Sequence, residues 1–245
     1  MNKVHTEVFT VQATDCDTRR CMRPAALFVA MQEGGERHAV SLGLGYDDMI
    51  ARGLFFVLAR IHVHFDRTPR CGEKVIHRTW PGTSNRFFCP RFHSFILEDG
   101  TPLASAGALW VILDVQHRKI VSPLTVSLPF PDTSDIPAPI ELPTRLPQML
   151  EATSAYVRNP AYSDYDINGH VNNTRYIGWL CDTLGNAVLK DHYLGDLIAG
   201  YEKEICADDP LNITLGHHDD HFTFLITSQG GERHFAAGGT LRAED

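Results

Sequence analysis

The densest cluster of functional side chains in this chain is Asp164-Tyr165-Asp166-Ile167-Asn168-Gly169-His170-Val171-Asn172-Asn173. Capping a following helix would use one asparagine, Asn172 or Asn173, and at most one aspartate. It would leave a carboxylate, two amides and an imidazole without a local role. An imidazole titrates near neutral pH and suits proton transfer. A carboxylate can orient it, and an amide can position water or a carbonyl oxygen. The start of a helix also leaves backbone N–H groups unpaired and carries partial positive charge. Such donors could stabilise the oxyanion formed when water attacks a carbonyl such as a thioester. Asp166, Asn168 and His170 alternate, so an extended backbone would place all three on one face. Gly169 would keep the opposite side open or take an unusual backbone angle.

The elements that must position this cluster are legible from pattern. After it, Tyr176, Ile177, Trp179, Leu180, Leu184, Ala187 and Val188 cover a helix widely around its circumference. Such a helix is expected to be buried and wrapped by a sheet. An earlier stretch, ATDCDTRRCMRPAALFVAMQ, resembles YSDYDINGHVNNTRYIGWLC under one constant offset. That offset sets Asp15 on Asp164, Asp17 on Asp166, Cys21 on His170 and Phe28 on Ile177, which points to a duplication. Strand-like runs follow each candidate helix: FFVLARIHVHF, KVIHRTW, FFCPRFHSFIL and SAGALWVILD, then LIAGYEKEIC, LNITLG, HFTFLITS and HFAAGGTLR. Between the halves, seven of the 14 prolines fall from Pro123 to Pro147. Such a segment is expected to be an extended connector. The expected architecture is α+β: two tandem hotdog domains, each a long central helix wrapped by an antiparallel sheet. The expected divisions are residues 1–130, a linker over 131–150, and a site-bearing domain over 151–245.

Composition narrows the field. No apolar run approaches the roughly 18 residues of a membrane span, and the N-terminus MNKVHTEVFTVQATD lacks a signal-peptide core. The expectation is a cytoplasmic protein with no membrane partner. Cys16, Cys21, Cys71, Cys89, Cys181 and Cys206 show no C-x-x-C pairing and read as free thiols. A net charge of −8 argues against nucleic acid. An acidic protein partner would need a local basic patch, for which Arg67, Arg70, Lys74, Arg86 and Arg91 are candidates. His217-His218-Asp219-Asp220-His221 reads as a solvated turn, and His62 and His64 as structural residues of one strand face. LGLGYDD lacks the strand–loop–helix context of a nucleotide site. No metal and no cofactor is expected.

DINGHVNNTRYIGWLCDTL resembles the D-x-N-x-H-V-N-N-x-x-Y-I-x-W motif of the acyl-ACP thioesterases of plants and bacteria. GLFFVLARIHVHFDRTPRCGEKVIHRTWPG and ALWVILDVQHRKIVSPL are similar to that family's first-domain segments, more loosely. The resemblance implies hydrolysis of fatty acyl-ACP by Asp166, Asn168 and His170, with Glu204 in GYEKEIC as a fourth residue. The family usually has Cys directly after that Glu; here Ile205 intervenes and Cys206 follows, so Cys206 is not assigned a role as nucleophile. In a regular strand Cys206 would share a face with Glu204. In the first copy, Arg19 and Cys21 replace Asn168 and His170, which implies a repeat retained for its fold. That copy is expected to hold the acyl chain with Phe28, Met31, Phe55 and Phe56, while Asn172 and Asn173 contact substrate in the second copy. The partner that the resemblance implies is acyl carrier protein bearing acyl-phosphopantetheine. The cluster also fits the D-x-D-x-x-G-H-V-N-N signature of hotdog acyl-CoA thioesterases, so acyl-CoA stays open. A 3-hydroxyacyl dehydratase and a non-catalytic acyl-binding module are the remaining rivals. Both monomer and homodimer are compatible with a chain that already pairs two hotdogs.

Overall fold

A computed structural model describes residues 2–206 and 208–243. The chain forms two compact units: Met1–Met22 with Val29–Pro143, and Arg23–Phe28 with Thr144–Asp245. In the first unit, strands β1 (His5–Thr10), β2 (Leu54–Phe65), β3 (Lys74–Pro81), β4 (Cys89–Leu97) and β5 (Pro102–Asp114) form an antiparallel sheet in the order β1-β3-β4-β5-β2. The short β6 (Ile120–Val121) adds to β5. Helix α1 (Pro24–Ser41) begins with residues of the second unit and continues into the first; α2 (Tyr46–Ala51) follows it. β-branched and aromatic residues fill the strands; alternate side chains of β2, Val63 and Phe65, go to the core, whereas β4 buries the adjacent Phe92 and His93 as well as Phe95.

The second unit repeats the plan. Strand β7 (Ser154–Arg158) precedes helix α3 (Asn173–Leu189), and β8 (His192–Tyr201), β9 (Leu211–His218), β10 (His221–Ser228) and β11 (Arg233–Ala243) follow. Their order is β8-β11-β10-β9-β7, all antiparallel. Tyr176, Ile177, Trp179, Leu180 and Leu184 of α3 are buried, as are Leu197, Ile213, Phe222, Phe224 and Phe235 of the sheet. The broad burial expected along α3 stops at Gly185, whose left-handed backbone (φ 72°) breaks the helix. Beyond it Ala187 is exposed and Val188 only half-buried. The two units are the α+β hotdog architecture in duplicate.

Residues 126–153 contain neither helix nor strand, as their prolines require. The segment is nevertheless seated along its length. Thr133 donates its hydroxyl to the carbonyl of Pro81, and Ile140 and Leu142 sit over Gly107 of β5. Past the division at Pro143, Leu146 sits over Gly200 of β8 and Pro147 over Gly238 of β11. A side chain at either strand glycine would occupy space the connector fills.

Under α1 the first unit buries a polar network that the sequence pattern did not disclose. Arg37 donates to Glu7 at 2.8 and 3.1 Å, and Glu7 accepts from Nδ1 of His77 at 3.1 Å. With its Nδ1 proton so used, His77 accepts at Nε2 from Nδ1 of His93, 3.0 Å away. Arg91 donates to Thr79 at 3.1 Å and lies 3.3 Å from Nδ1 of His38, whose Nε2 donates to the carbonyl of Asn2. His38, His77 and His93 are buried. Gly34 explains how a helix can lie on this network: a Cβ there would fall 2.5 Å from the His77 ring and 2.7 Å from Glu7. A mid-helix glycine costs about 1 kcal/mol in propensity, and here it is the residue that fits.

Burial pushes His77 down to about 4, and holds His93 and His38 below the ordinary 6.5. These rings stay neutral in the folded chain and take protons more readily once it unfolds. Stability is therefore expected to fall as pH drops from about 6.5 towards 4. Glu7 extends the loss further: burial would raise it, but hydrogen bonds from Arg37 and His77 bring it from 4.5 to about 2. Thermal melts from pH 7 to 4 should show a falling midpoint, with a shallower slope in His93→Gln. An unchanged slope in that variant would remove His93 from the account.

Candidate active site

The motif is a tight reversal rather than the extended stretch that alternation suggested. Tyr165 and Val171 bridge across it, the N–H of Asp166 donates to the carbonyl of His170 (2.8 Å), and that of Gly169 to the carbonyl of Asp166 (3.0 Å). The Asp166 carboxylate accepts from the N–H groups of Asn168 (2.8 Å) and His170 (3.3 Å). This pulls the backbone round, and Gly169 takes the left-handed conformation (φ 73°) that the turn demands. Asp166 is thus the residue that shapes the turn. Asp164, buried at 4%, fastens the same loop to α3 by accepting from the N–H of Ala161 (2.7 Å) and from the Trp179 indole (3.3 Å). Asn172 is the N-cap, accepting at Oδ1 from the N–H of Thr174 (3.0 Å). Because Asn172 also takes the N–H of Arg175 at its carbonyl (2.9 Å), two of the helix-start donors expected for an oxyanion are engaged within the helix.

His170 and Glu204 come together. Their Nε2 and Oε2 atoms are 3.7 Å apart, with side chains 28% and 26% exposed, so solvent reaches both. Strand β8 ends at Tyr201, so Glu204 and Cys206 lie on the following loop, not in the strand that LIAGYEKEIC suggested. The loop is pinned where Val171 donates its N–H to the carbonyl of Ile205 (2.9 Å), and Ile205 is buried. Glu204 and Cys206 flank it, and one ring nitrogen of His170, a Glu204 oxygen and Sγ of Cys206 all lie within 4.8 Å of one another. Cys206 is therefore part of the constellation in space. The signal was its two-residue separation from Glu204, which survives although the strand does not.

Tyr176 is the residue that sequence reasoning passed over. Its phenol is held above its ordinary pKa by burial first, then by Cys206, Glu204 and Asp166, so it borders the same cluster. Its ring packs on Tyr201 (5.6 Å) and Phe235 (5.0 Å), and Tyr201 donates to the carbonyl of Asn173 (3.0 Å). Asn168 is exposed on the turn beside Ile167. Of the expected acyl-contacting residues, Phe28 counts with the second unit and is buried. Met31, also buried, belongs to the first unit. Phe56 packs on Phe130 and a core that includes Leu42, Leu44 and Met49, while Phe55 lies under Arg118.

The candidate basic patch is largely committed elsewhere. Arg91 is turned into the buried network, where burial lowers it to about 10, Arg67 pairs with Glu73 (2.7 Å), and Arg86 lies over Phe87. His62 bonds the Glu141 carbonyl, and His217 to His221 span the β9–β10 hairpin, with His218 and His221 paired to Asp219 and Asp220.

The first unit keeps the same turn bond for bond. Cys16 and Met22 bridge, Asp17 donates to Cys21, and Arg20 donates to Asp17 with φ 65°. The Asp17 carboxylate accepts from Arg19 (2.9 Å) and Cys21 (3.0 Å). Met22 donates to Pro69 as Val171 does to Ile205. That match sets Thr68 and Arg70 at the places of Glu204 and Cys206. The duplicated turn survives; its chemistry does not.

Two hotdog units, one with an intact His–Glu site and one with that site replaced, define a double-hotdog protein. Residues 2–124 match the acyl-ACP thioesterase N-terminal domain and residues 149–240 the acyl-ACP thioesterase C-terminal domain. The chain belongs to the acyl-ACP thioesterase family. It is 27% identical over 223 residues to a chloroplastic dodecanoyl-[acyl-carrier-protein] hydrolase of Cinnamomum camphora, covering 85% of this chain and 58% of that protein. It is 28% identical over 248 residues to a chloroplastic palmitoyl-acyl carrier protein thioesterase of Cuphea hookeriana, covering 91% and 59%. The chain thus spans under two thirds of the length of these curated relatives. Its fold matches an acyl-ACP thioesterase from Bacteroides thetaiotaomicron with a TM-score of 0.87 at 23% identity, over 98% of both chains. The 12:0-ACP thioesterase of Umbellularia californica matches at 0.82 and 22% identity, over 100% of this chain and 99% of that one.

Each aspartate turn rests on two carboxylate-to-backbone bonds. Asp17→Ala and Asp166→Ala are each expected to lose about 1–3 kcal/mol, measured by urea denaturation. A loss near zero in either would show that its turn holds without the carboxylate.

Proposed function

We propose that this chain hydrolyses the thioester of a fatty acyl group carried on acyl carrier protein, with the reaction in the second unit. The observation that carries this reading is the His170–Glu204 pair, 3.7 Å apart and open to solvent, on a turn shaped by Asp166. Membership of the acyl-ACP thioesterase family supports the substrate class. In this mechanism Glu204, or His170 acting with it, takes a proton from water as the oxygen attacks the acyl carbonyl. The pair is longer than a direct hydrogen bond, and such distances commonly tighten when substrate binds. Asn168, at the turn, orients the water or holds the carbonyl oxygen. The tetrahedral intermediate collapses with the carbonyl–sulfur bond broken, and the proton passes to the departing pantetheine thiol. Free fatty acid and holo-carrier result.

Met31, Phe55 and Phe56 are assigned to the acyl chain within the first unit. The named relatives act on dodecanoyl and palmitoyl groups, so chain length is a property of each member. Each buried methylene is worth about 0.8 kcal/mol, enough for roughly a fifteenfold preference per carbon pair. Phe55→Ala is expected to shift the preferred acyl length in a panel of saturated acyl-ACPs; an unchanged profile would exclude Phe55 from the pocket.

The decisive assay follows free thiol release from matched acyl-ACP and acyl-CoA panels. We expect hydrolysis with preference for the carrier-protein substrates. His170→Ala and Glu204→Ala should each lower kcat by at least about 10² with the fold intact by circular dichroism. Full turnover in either variant would defeat the assignment, an enoyl product would make the protein a dehydratase, and preference for CoA would change the carrier.

A further inference from the structure

We propose that His170, Glu204 and Cys206 form an inhibitory site for a thiophilic divalent cation, with Zn²⁺ the best-suited ion. The donor set is one imidazole nitrogen, one carboxylate oxygen and one sulfur, a mixture that suits zinc and disfavours Mg²⁺ or Ca²⁺, which take oxygen ligands. The spacing agrees. Zinc holds these ligands at about 2.0–2.3 Å in tetrahedral geometry, which sets them about 3.3–3.8 Å from one another. His170 Nε2 and Glu204 Oε2 stand 3.7 Å apart, and all three donor atoms lie within 4.8 Å, so a small closing of the exposed Cys206 completes the set.

The arrangement follows from how the loop is anchored. Ile205 is the anchor of the loop: its side chain is buried and its carbonyl is bound to Val171. Glu204 and Cys206 flank that anchor, and both reach His170. The matching positions of the first unit hold Cys21, Thr68 and Arg70, so the set occurs once in the duplicated frame.

Binding would cost the Cys206 thiol its proton, which passes to solvent, and would break no other covalent bond. Three protein ligands leave one zinc position for water or a product thiol. The ion would occupy the lone pair of His170 and the carboxylate of Glu204, the two groups the hydrolytic reading needs. The inhibitory consequence rests on that reading; the binding itself does not.

The test separates the two. Chelator-treated full-length protein is titrated with Co²⁺ and then Zn²⁺, and the thiolate-to-cobalt charge-transfer absorption is followed. One equivalent of Co²⁺ should bind with that band, and Zn²⁺ should displace it. Cys206→Ser should abolish the band, and His170→Gln should weaken Zn²⁺ at least about tenfold. Cys16→Ser, which removes the thiol lying beside Cys71 in the first unit, should leave the band intact. Zn²⁺ should suppress thioester hydrolysis, and chelator should restore it. Absence of the band, its persistence in Cys206→Ser, or hydrolysis that rises with Zn²⁺ would each overturn the proposal.

Discussion

A carboxylate that accepts two backbone N–H groups from residues just ahead of it is the interaction on which the rest is built. Asp166 bonds Asn168 and His170, the backbone reverses through Gly169, and the chain enters α3 with Asn172 as its cap. Hydrogen bonds to a charged acceptor contribute more than neutral ones. The turn fixes where the His170 backbone sits. The bond from Val171 to Ile205 then fixes the facing loop, and Glu204 meets His170 as a consequence. The same device in the first unit, built on Asp17, shows that the turn is a folding element first and a chemical one only where its side chains allow.

The two copies solve the same packing problem with different chemistry. In the second unit Tyr176 of α3 packs on Trp179 of the same helix and on Tyr201 and Phe235 of the sheet. Beneath α1 the first unit places Glu7, His77 and His93, linked in series and completed by Arg37. Burying such a network is tolerable only because its members satisfy one another. The neutral histidines also make the first unit's network sensitive to acid. A hydrolytic site needs a reachable imidazole, and His170 is 28% exposed, whereas the histidines of the first unit's network are sealed.

Proline and glycine divide the work of joining the units. Proline keeps residues 126–153 from forming ladder or helix, and glycines in β5, β8 and β11 leave shallow places in each sheet where Ile140, Leu142, Leu146 and Pro147 settle. The connector is thereby part of both structures.

By itself the sequence determined what short-range pattern can carry. The apolar spacing from Tyr176 to Leu184, the alternating β-branched runs, the proline-rich break and the offset between Asp17 and Asp166 specified a duplicated α+β chain. The crowding around His170 located the candidate site, and the resemblance to the acyl-ACP thioesterases added Glu204. Tertiary structure decided the rest, because it depends on partners distant in sequence. Alternation alone could not tell an extended segment from the turn that Asp166 closes. Nor could it show that β8 stops at Tyr201 and that Ile205 anchors a loop turning Glu204 and Cys206 towards His170. The inward turn of Arg91 and the His77–His93 bond were equally hidden. A polar side chain looks alike in sequence whether it meets water or a buried partner, and only the folded sheet brings that partner within hydrogen-bonding reach.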